Sequence, residues 1–85
     1  MGKKNYWEEL EAYKKKFLSL QKEMKEKLKL HQREKVISMM ESLNWLIDKV
    51  QELELHFVFP TSYPLSMEIF EAREDILNRL KKLGE

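Results

Sequence analysis

The sequence predicts an all-α fold. A long N-terminal helix covers about residues 5–57, with 29–34 as the stretch where it would break, and a shorter helix over about 65–83 folds back on it. Three observations carry this expectation. Only two glycines and two prolines interrupt 85 residues rich in Lys, Glu and Leu, the composition of long helices. The stretch from Val36 to Val50 is apolar at nine of fifteen positions, most of them at the three-and-four spacing of one helical face. The segments before and after it carry narrower apolar stripes, so the central stretch reads as a helix covered on more than one side.

The first segment opens at Asn5, with Glu8 three residues on, the form of a capping box in which a short polar side chain satisfies a free backbone N–H. Glu8, Glu9 and Glu11 fall in the first turns, where carboxylates complement the helix macrodipole. Tyr6, Leu10, Tyr13, Phe17, Leu20, Met24 and Leu28 then mark one seam at spacings of three and four. On the outer faces Glu11 with Lys15 and Glu23 with Lys27 have the favourable Glu-first i, i+4 order.

The architecture turns on the residues between Leu28 and Val36. Lys29 to Lys35 contain no Gly, Pro, Asn, Asp or Ser, so local chemistry gives the helix no reason to stop. Yet the apolar stripe slips: at 100° per residue the seam of Leu43, Leu46 and Val50 is rotated by about 80° from that of Tyr13, Leu20 and Met24. An unbroken helix would be about 80 Å long. The last helix covers about a third of such a rod and leaves the seam from Tyr6 to Met24 in water, so a rod requires a second chain. A chain that reverses near His31 instead gives a compact three-helix bundle. The composition of the junction favours the rod.

The last segment follows Pro64, with Ser62 or Ser66 as its expected cap. Met67, Ile69, Phe70, Ile76, Leu77, Leu80 and Leu83 give it an apolar face, and Lys81, Lys82 and Gly84 close it. The connector from Leu55 to Pro64 is unusually aromatic. Phe57, Phe59 and Tyr63 either plug the end of the helical hairpin or form part of a partner-binding surface, where Phe and Tyr are favoured.

An 85-residue chain is read as a single helical domain, and it buries only about 60 % of the surface its unfolded form exposes. With no cysteine, neither a disulfide nor a thiolate metal site can staple it, which raises the expectation of a homo-oligomer. Cysteine-free composition fits a cytoplasmic location. The N-terminus lacks the apolar core of a secretory signal, and no apolar run approaches the length of a membrane span. Net charge is +1, but residues 1–35 hold eleven Lys/Arg against six Glu, and residues 36–85 hold five against nine Asp/Glu. The two halves attract, within one chain or between two antiparallel chains.

Catalysis finds little support. There is no Gly-rich phosphate loop and no His-Glu-x-x-His. His31 and His56 stand alone; each with its neighbouring carboxylate, Glu34 or Glu52, offers two ligands, short of the three a zinc site takes from the protein, and Ser19, Ser38, Ser42, Ser62 and Ser66 read as surface or capping residues. The segment from Glu71 to Leu80 resembles the Arg-Glu-x-x-Ile/Leu segment of the small helical chorismate mutases, with Arg73 and Glu74 as the matching residues. That family also needs a cavity lined by Arg and Lys, and the central helix carries only Lys49 within it. The segment from Met40 to Ile47 is similar in spacing to the Ser-x-x-Leu-Asp-x-Leu-Ile signature of small sporulation phosphatases, but Met40 stands in place of the serine and Asn44 in place of the aspartate that carries the chemistry.

The expected function is therefore that of a non-enzymatic helical interaction module. It self-associates and binds a partner protein as an adaptor, regulator or stoichiometric inhibitor, with no cofactor, no metal and no membrane. Trp7, Tyr13, Phe17, Phe57, Phe59 and Tyr63 are the expected partner-binding residues. Trp45, at the border of the central stripe, reads as core. The alternative is nucleic-acid binding through Lys14, Lys15, Lys16, Lys22, Lys25, Lys29 and Arg33, although these basic residues are spread around the helix and interrupted by glutamates.

Overall fold

The computed structural model describes residues 5–57 and 64–84. They form three helices, α1 (Tyr6–Lys29), α2 (Arg33–Glu54) and α3 (Leu65–Leu83), in a bundle measuring 51 × 26 × 15 Å. The all-α class and the two outer helix ends are as the sequence predicts. Asn5 caps α1, its side-chain oxygen accepting from the Glu8 N–H at 3.1 Å.

The unbroken rod does not form, and the chain reverses within the stretch marked for a break. His31 adopts a left-handed backbone (φ 59°). Around it the Gln32 N–H reaches back to the Lys27 carbonyl at 2.9 Å and the His31 N–H to the Leu28 carbonyl at 3.0 Å, the two nested bonds of a Schellman closure. A left-handed residue with a Cβ costs about 1–2 kcal/mol. The reversal lets α1 bury Phe17, Met24 and Leu28 against its own chain. At about 1.5–3 kcal/mol per fully buried side chain those three outweigh the turn several-fold. The 80° slip of the stripe is the sequence trace of this choice.

The core is shared by all three helices, and α2 contributes most, burying Val36, Met40, Leu43, Leu46, Val50 and Leu53. Leu65, Ile69, Ala72, Ile76 and Leu80 close it from α3. Leu20 and Tyr13 pack against this cluster half-buried. The seam that a rod would have exposed is thus covered intramolecularly, and its length no longer argues for a second chain.

One expectation about α3 is corrected. Its N-cap is Pro64, which makes no side-chain cap hydrogen bond, and Ser66 is already inside the helix. Ser66 is instead bound to Glu54: its N–H donates to Oε2 at 3.2 Å and its hydroxyl to Oε1 at 2.5 Å. The last residue of α2 thus does the capping. Ser62, Phe59 and Tyr63 lie outside the described residues.

Candidate protein-binding surface

Packing α1 antiparallel to α2 places a line of aromatic side chains along the seam between them. At the open end Tyr6 of α1 stacks on His56, just past α2, with ring centroids 4.3 Å apart and planes within 6°. Beside it Trp7 meets Phe57 at 4.4 Å. Half-way along, Tyr13 and Trp45 meet in a T-shaped pair at 5.9 Å and 68°. Of the three pairs, Tyr13 with Trp45 has the edge-to-face arrangement that aromatic quadrupoles favour.

Trp45 is the centre of this surface. It is 46 % exposed, against its expected place in the core. The helical wheel explains why: α2 buries the arc of Leu43, Leu46 and Val50, and Trp45 lies more than about 100° from its centre. The Nζ of Lys16 sits 5.6 Å from its ring centre and that of Lys49 5.9 Å, each a cation–π contact of about 0.5–1 kcal/mol at an exposed site. Alongside lies an open depression of about 410 Å³ lined by Lys16, Leu20, Glu41, Ser42, Trp45 and Leu46. A smaller one of about 210 Å³, bordered by Tyr6, Glu9, Tyr13, Glu52 and His56, continues the groove toward the open end.

Of the expected partner-binding residues, Tyr13 borders this groove, while Trp7, 63 % exposed, and Phe57 form an aromatic pair at its end. Phe17 does not belong to it. At 1 % exposure it is a core residue, because it lies on the centre line of the seam that α2 and α3 cover. The sequence thus exchanged two roles, giving Phe17 to the surface and Trp45 to the core.

The basic residues are better ordered than the sequence suggested. With α1 helical throughout, Lys14, Lys15, Lys22, Lys25 and Lys29 fall within an arc of about 100°, on the side away from the Trp45 groove. Lys16 stands apart on Trp45, and Arg33 opens α2. Among the described residues Lys49–Glu52, Arg73–Glu74 and Arg79–Asp75 form ion pairs, none of them with a lysine of α1. His31 is held in the turn and His56 against Tyr6. Among the described residues no three His, Asp or Glu side chains converge as a metal site.

The chain matches no model of a known protein family, no curated protein and no solved structure.

Proposed function

We propose that the protein is a non-enzymatic helical interaction module that self-associates and binds a partner protein along the α1–α2 groove, acting as an adaptor, regulator or stoichiometric inhibitor. The observation that supports it is Trp45. A tryptophan held half-exposed by Tyr13, with two ammonium groups over its ring and a depression at its side, is built like an interface anchor. The depression takes an apolar side chain, and Lys16 and Lys49 favour a carboxylate next to it. The matching partner is an amphipathic segment that offers both. We place the protein in the cytoplasm, since a fold without disulfides needs no oxidising compartment; among the described residues no helix is long and apolar enough to cross a membrane.

A photo-activated cross-linking residue at Ser42 tests this in the native cell. The expected result is one discrete adduct that falls about tenfold or more with Trp45→Ala and with Lys16→Glu. A ladder of unrelated adducts, or one adduct indifferent to both substitutions, overturns the reading.

A second reading, nucleic-acid binding through α1, is favoured by the lysine arc on one face of that helix. Binding through five phosphate contacts falls steeply between about 50 and 200 mM salt. A flat response removes it.

A further inference from the structure

The lysine arc is one half of a pattern. Tyr6 stacks on His56 and Glu54 binds Ser66, so the start of α1, the end of α2 and the start of α3 share one end of the bundle. The turn at His31 and the end of α3 share the other. Cutting each helix at mid-length, the end holding Tyr6 (5–17, 44–57, 64–74) carries nine Asp/Glu against five Lys/Arg, and the turn end (18–43, 75–84) carries nine Lys/Arg against five Asp/Glu. Each helix adds to the same split. In α1 and α3 it complements the macrodipole. In α2, which starts with Arg33 and Lys35 and ends with Glu52 and Glu54, it opposes it. Helix stability therefore does not account for the layout, which crowds like charges at both ends of one molecule.

A second copy does account for it. On the exposed flank of α1, Trp7, Glu11, Leu18, Lys25 and Lys29 lie within about 40° of one line. Leu18, near the middle of the helix, is 48 % exposed. About it the stripe is symmetric: Glu11 stands seven residues before and Lys25 seven after, Trp7 eleven before and Lys29 eleven after. We propose that α1 is a dimerisation helix on which a second copy of this chain lies antiparallel, with Leu18 meeting its counterpart on the two-fold axis. Each Glu11 then faces Lys25 of the other copy, and each Trp7 faces Lys29, two ion pairs and two cation–π contacts from one isologous interface. Lys14 comes level with the other copy's Lys22 on opposite flanks of the stripe, while Lys15 and Lys22 of the two copies share a flank at the outer edge of the contact, where solvent screens their repulsion. On α1 the Tyr6 half is neutral, three Glu against three Lys, so the acidic excess that this face sets over the basic end of the other copy comes from α3, three Asp/Glu against one Arg in residues 64–74. The tract of α1 with the flank of α3 beside it is about 36 Å long and about 20 Å wide. That is about 700 Å², close to the roughly 800 Å² per partner of a standard stable interface.

This deepens the self-association proposed above and rests on it; it takes Trp7 from the aromatic pair at the groove's end and leaves the depressions beside Trp45 and Tyr13 free for a partner. The test is the dissociation constant from sedimentation equilibrium for the whole chain and three surface variants. The wild type is expected to be a dimer at high micromolar concentration, weakening with salt. Glu11→Lys and Lys25→Glu, each placing like charges opposite one another twice, weaken it about tenfold or more. Combining them in one chain exchanges the partners and restores the dimer. Circular dichroism confirms that all variants stay folded. A monomeric wild type overturns the dimer without touching the Trp45 cross-link. A dimer unmoved by either reversal, or unrescued by the pair, means that self-association uses another face. A monomer that binds a DNA duplex through the same lysines assigns the stripe to nucleic acid instead.

Discussion

The carboxylate of Glu54 accepts two hydrogen bonds from Ser66, from the backbone N–H at 3.2 Å and from the hydroxyl at 2.5 Å. One helix end thereby caps the next. The N-terminus of a helix presents free N–H groups and a partial positive charge, and a carboxylate satisfies both. Because Glu54 is the last residue of α2, the contact also fixes where α3 begins relative to α2.

Replacing Glu54 by Ala is expected to cost about 1–2 kcal/mol and Ser66→Ala about 1 kcal/mol, the range for losing a helix cap. The two losses overlap. Urea denaturation of the singles and the double variant should give a coupling energy of at least about 0.5 kcal/mol. Strictly additive losses would show that the two residues act separately.

His31 offers a test whose sign depends on the fold. In the left-handed turn its Cβ is a burden, so His31→Gly should raise stability by about 0.5–1 kcal/mol once glycine's greater unfolded-state freedom is deducted. In a helix running through this position the same change would lower it by about 1 kcal/mol. A thermal or urea midpoint that falls for His31→Gly speaks for the rod.

Phe17 and Trp45 separate core from surface. Phe17→Ala empties a fully buried site and should cost about 3–5 kcal/mol. Trp45→Ala removes a half-exposed ring and two weak cation–π contacts, and about 1 kcal/mol is expected. Equal losses would return Trp45 to the core.

These residues also show how far the sequence was legible. Helix ends with a local chemical marker, Asn5 with Glu8, and Lys81 and Lys82 before Gly84, are found where composition places them. The reversal at His31 has no such marker, since no Gly, Asn or Pro stands there, and only the slip of the apolar stripe points to it. Tertiary burial overrode a helix-forming junction. The exchange of Phe17 and Trp45 has the same root: which residues of an apolar segment face inward depends on how many neighbours cover it. The wheel angle of Trp45, far from Leu46 and Val50, was the available signal. The cap at Ser66 was not legible, because its acceptor lies twelve positions away.

The start of α2 is the least satisfied helix end of the bundle and therefore the easiest to improve. Gln32 occupies the N-cap without a side-chain hydrogen bond, its side-chain oxygen is buried without a partner, and the first turn carries Arg33 and Lys35 beside one acidic residue, Glu34. The missing cap leaves N–H groups of that turn unsatisfied, and the two cations oppose the positive end of the dipole. Gln32→Asp shortens the side chain to the reach of a cap, removes the orphaned carbonyl oxygen and sets a negative charge at the positive end of the dipole. The expected gain is about 1 kcal/mol, read as a higher urea midpoint with an unchanged slope. Gln32→Asn supplies the same cap without the charge and should recover most of that gain at high salt but a smaller part of it at low salt. A loss of stability with both would mean that the buried stem of Gln32 contributes more by packing than its amide fails to contribute as a cap.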